Sequence, residues 1–310
     1  VPKYKVYLNE HIDEDALNTL QKYATVTNNL DELKDIDAMI IRAEKVSRSM
    51  IEESKKLKVI GKHGIGYDSI DIGAAKEHDV KVVYTPEANV QSVSELIIAL
   101  MTNVVRNISL SFEKGKKGEN KSIAPKELMG YQLNNKTLGL IGAGKIGLNT
   151  SKIAKHGFDM KIVVYDPFVT EQQCSQVGIE KVDRLEDLMM IADFVSVSVP
   201  LTKDTKHLIN ERALRFMKPH AVLINTSRGG VIDEKALYTF LAEKKLFAAA
   251  SDVFEHEPPT SKNPLLSLDN FVATPHIGAN TAEAMKLMGS TVVKEVITVL
   301  EGKTPNYRVV

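Results

Sequence analysis

Gly142, Gly144 and Gly147 lie in the run Gly142-Ala143-Gly144-Lys145-Ile146-Gly147, which follows the apolar stretch Leu138-Gly139-Leu140-Ile141 and precedes helix-prone residues reaching His156. Glycines at this spacing between a strand and a helix can seat a pyrophosphate. The first permits a tight turn, the second lets the backbone approach the phosphates, and the third allows close helix–strand packing. The helix adds the N–H groups and positive dipole end of its N-terminus. Asp166 closes the next apolar run, Val163-Val164-Tyr165, about 20 residues past the last glycine, where a carboxylate can accept both hydroxyls of an adenosine ribose. A 2′-phosphate would face that carboxylate, and Pro167 and Phe168 supply no compensating cation, so NAD is expected over NADP. The plainer alternative is a structural turn with an unrelated surface acid.

Three further residues each follow a late apolar run. Arg228 comes after Val222-Leu223-Ile224-Asn225, Glu257 after Asp252-Val253-Phe254, and His276 after Val272-Ala273-Thr274-Pro275. Ligands of open α/β sheets bind at the carboxyl ends of the strands, so the three are expected to converge beside the glycine turn. Together they suit hydride transfer to a 2-keto acid. The arginine fork grips the carboxylate, the histidine donates the proton that the new alkoxide requires, and the glutamate orients the imidazole and stabilises its charged form. Singly, each has an ordinary explanation: a capping histidine, a turn at Arg228-Gly229-Gly230, and a surface acid beside Pro258 and Pro259. His256 rivals His276, but its place next to Glu257 in sequence is expected to turn it the other way. The eight histidines show no helical H-x-x-x-H spacing, and no metal is expected.

The elements that must position these residues are read from periodicity. In the first hundred residues, Lys5 to Leu8, Ala38 to Ile41, Val59-Ile60 and Val80 to Tyr84 read as strands, with helices over Asp13 to Tyr23, Ser49 to Leu57 and Ile72 to His78. Ser92 to Arg106 is a long apolar helix, and the lysine- and glycine-rich stretch Glu113 to Lys126 reads as an exposed loop or arm. Six strands follow: Thr137 to Ile141, Lys161 to Tyr165, Phe194 to Val199, Ala221 to Asn225, Phe247 to Ser251 and Phe271 to Thr274. Several are apolar throughout, as parallel strands covered on both faces are. A last helix, Asn280 to Leu300, ends at Gly302. The expected architecture is α/β with two doubly wound parallel sheets. A Rossmann-type NAD domain, 103–283, is inserted in a flavodoxin-like substrate domain, 1–102 with 284–310.

Composition narrows the field. At about 150 residues per domain, 310 residues suit two domains, and 43% hydrophobic content excludes a disordered chain. Forty basic residues balance forty acidic ones, which leaves no electrostatic case for nucleic acid or an anionic membrane. Cys174 is the single cysteine and no run has signal-peptide or membrane-spanning length, so a cytoplasmic setting is expected.

The ordered motifs resemble the D-isomer-specific 2-hydroxyacid dehydrogenases along nearly the whole chain. They include Gly61-Lys62-His63-Gly64-Ile65-Gly66-Tyr67-Asp68-Ser69-Ile70-Asp71, Thr85-Pro86-Glu87-Ala88-Asn89 to Glu95, and the glycine turn. Pro200-Leu201-Thr202 with Thr205, Asn225 to Gly230, Asp252 to Pro258 and Thr274 to Gly278 follow in the same order. The resemblance implies the roles of substrate-binding arginine, orienting glutamate and acid/base histidine for Arg228, Glu257 and His276. It implies that Lys145, Ile146, Asp166, Val199, Pro200, Thr205, Thr226, Ser227, Arg228, Asp252, His276 and Gly278 line NAD. By the same resemblance the backbone at Gly64 and Ile65 meets the substrate carboxylate, and members form homodimers through the NAD domain, with the Glu113 to Tyr131 arm reaching across. Many members carry histidine where this chain has Ser198, which bears on the adenine-side contacts.

For the substrate, Ile40-Ile41-Arg42-Ala43 and Lys62 resemble the D-3-phosphoglycerate dehydrogenase branch, in a short form with no regulatory domain expected after Val310. There Arg42 and Lys62 would bind a phosphate, with Asn89 nearby. Alternatively both are solvated strand-end charges, and the substrate is a small unphosphorylated 2-keto acid such as hydroxypyruvate, glyoxylate or pyruvate. A more distant reading is an NAD-sensing interaction module of the corepressor type.

Overall fold

Short Val- and Ile-rich runs become strands buried on both faces, and the amphipathic stretches between them become the covering helices. The computed structural model describes residues 2–119 and 122–310. Its contacts divide the chain into two units: residues up to Ser92 together with Ala279–Val310, and Val93–Gly278.

The first unit carries β1 (Tyr4–Tyr7), β2 (Ala24–Thr27), β3 (Ala38–Ile41), β4 (Val59–Lys62) and β5 (Lys81–Val83) in one parallel sheet of order 2-1-3-4-5. This is the flavodoxin-like order, whose switch point lies between β1 and β3. Met39, Ile41, Ile60 and Val82 face one helical layer. Ile40, Val59 and Val83 face the other, where the helix Ala282–Leu300 buries Val292, Val293, Val296 and Leu300. The same helix buries Glu295, whose carboxylate accepts the N–H groups of Asn306 at 2.6 Å and Tyr307 at 3.1 Å. That bond holds the C-terminal residues along β5, where Val309 N–H reaches the Val82 carbonyl at 2.7 Å.

The second unit carries β6 (Thr137–Ile141), β7 (Lys161–Tyr165), β8 (Glu180–Lys181), β9 (Phe194–Val197), β10 (Val222–Asn225), β11 (Ala248–Ser251) and β12 (Phe271–Ala273). All pairs are parallel, in the order 12-11-10-9-6-7-8, so the chain reverses its winding between β6 and β9. Leu138, Leu140, Val164 and Ile224 fill one side and Ile141, Val195, Val197 and Leu223 the other.

Two strands escape the periodicity reading. β2 pairs only with β1, at the sheet edge, so its Thr-Val-Thr run is partly exposed and shows no apolar block. β8 is a two-residue edge strand. The stretch expected as a loop from Glu113 begins instead as the end of a helix, Ile108–Lys116, with Lys114 and Lys116 placed favourably in its last turn. Asn120 and Lys121 of the expected arm lie outside the described residues. The units divide at 92/93 and 278/279, where the sequence reading places 102/103 and 283/284. The apolar stripe of helix Val90–Val105 (Val93, Ile97, Leu100, Met101 and Val104) packs in the core of the second sheet. Among the described residues no single helix is long and apolar enough to cross a membrane.

Candidate active site

The glycine turn opens directly from β6 and caps the helix Lys145–Phe158. Gly142 has φ +101°, and a Cβ there would fall 2.6 Å from the Ser198 carbonyl oxygen, so only glycine lets the turn pass beside the end of β9. A Cβ at Gly147 would strike the Gly142 carbonyl, whereas one at Gly144 would meet nothing within 4 Å. The open side of Gly144, at an N-cap with no side-chain cap bond among the described residues, is the cradle that a pyrophosphate fits. Asp166 faces it from the end of β7. Its Oδ2 accepts the Ala143 N–H at 2.8 Å and its Oδ1 the Phe168 N–H at 2.8 Å, which aims the carboxylate while leaving lone pairs for ribose hydroxyls. Thr205, assigned to the cofactor from sequence, donates its hydroxyl to the Pro200 carbonyl at 2.5 Å and accepts the Thr202 N–H at 2.8 Å within the loop after β9.

The three candidate catalytic residues are set by main-chain bonds just past β10, β11 and β12. Asn225 receives the Ser227 N–H and hydroxyl on Oδ1 and donates to the Arg228 carbonyl at 3.0 Å, which forms the turn that presents Arg228. Gly229 then packs against the loop after β11 so closely that a Cβ would lie 1.9 Å from the Phe254 carbonyl carbon. Asp252, 1% exposed, accepts the Thr274 hydroxyl at 2.6 Å and the Ile277 and Gly278 N–H groups at 2.8 Å each. Its own carbonyl accepts the His276 N–H at 2.8 Å. Asp252 therefore fixes the loop on which His276 stands in a left-handed conformation, φ +55°.

His276 Nδ1 lies 2.7 Å from Glu257 Oε2, and Glu257 Oε1 accepts the Phe254 N–H at 3.0 Å. Burial alone would raise the Glu257 carboxyl. The His276 hydrogen bond and charge, the Phe254 N–H and the Arg228 charge outweigh it and hold Glu257 below the usual carboxylate range. An ionised glutamate on Nδ1 leaves Nε2 of the same ring for a proton transfer. His276, not His256, is the histidine paired with Glu257.

In the first unit Arg42 follows β3 and Lys62 ends β4. Lys62 is 6% exposed, and its ammonium bonds the Arg42 carbonyl and the Ser69 hydroxyl, so it is not a solvated strand-end charge. Sequence reasoning missed Glu10, whose carboxylate accepts the Arg42 N–H at 2.5 Å and the Ala43 N–H at 2.8 Å. Its position was legible: Glu10 follows β1 as Arg42 follows β3, the two strands that flank the switch point. The Arg42 main chain is thus clamped on both sides, its N–H by Glu10 and its carbonyl by Lys62. Gly64, expected to meet a substrate carboxylate, gives its N–H to the Lys62 carbonyl at 3.0 Å. Asn89 is 9% exposed.

A doubly wound dinucleotide-type sheet with a histidine–carboxylate pair and an arginine at its strand ends defines a nicotinamide-dependent oxidoreductase class. Residues 98–278 match the D-isomer specific 2-hydroxyacid dehydrogenase, NAD binding domain, family. Over 308 residues the chain is 42% identical to D-3-phosphoglycerate dehydrogenase of Methanocaldococcus jannaschii, covering 96% of this chain and 58% of that protein. It is also 42% identical to hydroxypyruvate reductase of Thermotoga maritima, covering 95% of this chain and 97% of the relative. D-lactate dehydrogenase from Aquifex aeolicus, solved with NAD and lactic acid, superposes with a TM-score of 0.84 at 26% identity over 96% of each chain. This chain belongs to the D-isomer-specific 2-hydroxyacid dehydrogenase family, and its second unit is the family's NAD-binding domain.

Proposed function

We propose that the chain is an NAD-dependent D-2-hydroxyacid dehydrogenase that interconverts a small 2-keto acid and its D-2-hydroxy acid. The observation that carries this reading is the 2.7 Å contact between His276 Nδ1 and Glu257 Oε2, set at the strand ends that the glycine turn shares. When bound, the nicotinamide supplies or accepts the hydride. Arg228 pairs with the substrate carboxylate, and His276 Nε2 gives its proton to the carbonyl oxygen in reduction and takes it back in oxidation. Glu257 keeps the ring oriented and stabilises its charged form. Gly142, Gly144 and Gly147 with Lys145 and Ile146 hold the pyrophosphate, and Asp166 holds the ribose. Val199, Pro200, Thr226, Ser227 and Gly278 complete the cofactor lining.

For the substrate we favour an unphosphorylated keto acid, because Lys62 is already spent on Arg42 and Ser69 and Glu10 places a carboxylate at Arg42. The second reading, 3-phosphoglycerate, draws on Arg42 and Lys62 themselves and on the phosphoglycerate dehydrogenase relative. Exposed Ile108, Phe112, Met129 and Tyr131 on one stretch of the NAD-binding unit support a homodimer through that unit. The single buried cysteine, Cys174, suits a cytoplasmic setting.

The test follows NADH absorbance against glyoxylate, pyruvate, hydroxypyruvate and phosphohydroxypyruvate, repeated with NADPH. Turnover of unphosphorylated acids with NADH is expected. Preference for phosphohydroxypyruvate would move the substrate to the second reading, and faster turnover with NADPH would remove Asp166 from its assigned role.

A further inference from the structure

The helix Glu234–Ala242 is capped by Asp233, whose Oδ1 accepts the Ala236 N–H at 3.0 Å. The next side chain, Glu234, reaches across to the segment that follows β11. Its Oε1 accepts the Glu255 N–H at 2.6 Å, and its Oε2 accepts the Asn263 amide at 2.9 Å. Glu257 lies between these two residues in sequence, so one carboxylate grips the chain on both sides of it. The grip is returned. Glu255 Oε1 accepts the Glu234 N–H at 3.3 Å and meets His207 Nε2 at 3.1 Å. Asn263 Oδ1 accepts the Leu265 N–H at 3.1 Å, so the far anchor is itself held. All of these residues lie in the NAD-binding unit, Val93–Gly278.

Glu257 can orient His276 only while its own main chain stays in place. Its Oε1 is held by the Phe254 N–H, but that donor belongs to the same loop and would move with it. A fixed reference has to come from another element. Glu234 stands on a helix whose Ala236, Leu237, Phe240 and Leu241 are buried in the core. A carboxylate that accepts a main-chain N–H makes a charge-assisted bond, stronger than a neutral one. Loops with few such bonds open at little cost in free energy. The charged groups that act on Glu257 are His276 and Arg228, while Glu255 meets His207.

We propose that Glu234 is a positioning residue of the reaction: through Glu255 and Asn263 it holds Glu257 where that carboxylate orients His276. This rests on the dehydrogenase reading above and adds to it a residue that acts through Glu257.

The experiment measures kcat and the pH–rate profile of NADH-dependent reduction of glyoxylate, pyruvate and hydroxypyruvate, with NADH affinity from the fluorescence of the bound cofactor. The proteins are the wild type, Glu234→Ala, Glu234→Gln and Asn263→Ala, with Glu257→Gln and its double variant with Glu234→Ala. Glu234→Ala is expected to lower kcat about tenfold, the worth of one hydrogen bond. It also moves the alkaline limb of the profile to lower pH, the direction expected of Glu257→Gln, and leaves NADH affinity unchanged. Glu234→Gln keeps a side-chain acceptor for the Glu255 N–H and recovers most of the rate and of the limb. In the Glu257→Gln background Glu234→Ala moves the limb no further, because no charge is left to place. An unmoved limb in Glu234→Ala, or a loss undiminished in the Glu257→Gln background, overturns the proposal and marks Glu234 as a residue of stability alone. Asn263→Ala removes one of the two anchors and moves the limb the same way by less. Where Glu234→Ala does not fold, an unmoved limb in Asn263→Ala overturns the proposal. A wild type that reduces none of the acids defeats the dehydrogenase reading and this proposal with it, whereas an active wild type with unmoved limbs in the variants defeats this proposal alone.

Discussion

Glu257 Oε2 stands 2.7 Å from His276 Nδ1 while its other oxygen is held by the Phe254 N–H, so the carboxylate fixes the ring of His276 from a loop that is itself fixed. Each partner comes from a different strand end, and Asp252 at the foot of β11 ties the two loops together through Thr274, Ile277 and Gly278.

Removing the acid/base group from this pair is expected to cost the usual range for such a loss. His276→Ala lowers kcat for keto-acid reduction by about 10²–10⁴-fold. Glu257→Gln takes away the negative charge beside Nδ1 of the ring, and the alkaline limb of the pH–rate profile of reduction is expected to move to lower pH. Pre-steady-state and steady-state profiles measure this, and an unmoved limb in Glu257→Gln would remove Glu257 from the mechanism.

Gly229 has no room for a side chain: its Cβ would sit 1.9 Å from the Phe254 carbonyl carbon and 2.3 Å from the Glu255 nitrogen. Because both obstacles are backbone, Gly229→Ala must push apart the Arg228 turn and the Glu257 loop. We expect a loss of at least about 3 kcal/mol, the upper range for overpacking, together with a fall in kcat/KM. Thermal unfolding and keto-acid kinetics check it, and an unchanged Tm would show that the two loops separate freely.

His63 makes the stability of the first unit depend on pH. Burial, reinforced by the Arg42 charge, pushes its imidazole down to about 4 in the folded chain. An unfolded histidine titrates near 6.5. Between these values the unfolded chain binds a proton that the folded chain refuses, so stability rises with pH across this window and the penalty is fully developed below about 4. Linkage sets its size at about 3 kcal/mol. Urea unfolding of wild type and His63→Leu at pH 7 and near pH 4 is expected to show a steeper loss in the wild type by about that amount. Parallel losses in the two proteins would refute it.

The helical and strand periods placed ten of the twelve strands among the described residues, because buried parallel strands are apolar throughout and contrast with their surroundings. β2 and β8 were not legible, since an edge strand with one partner needs no apolar block. Arg228, Glu257 and His276 were readable because each follows an apolar run, and a strand's carboxyl end is a position that the chain itself encodes. The glycine turn with Asp166 was readable for the same local reason.

What sequence could not supply is pairing between loops that are distant along the chain. The Lys62 ammonium on the Arg42 carbonyl and the Glu10 carboxylate on the Arg42 amide exist only because the strand order 2-1-3-4-5 brings β1, β3 and β4 side by side. Burial likewise belongs to the tertiary structure, as with Lys62, for which the sequence left a phosphate contact and a solvated charge both open and which is 6% exposed. Local spacing therefore determined the class of chemistry. The folded sheet decided which charges are already paired and which are buried, because desolvation and hydrogen-bond satisfaction depend on neighbours in space.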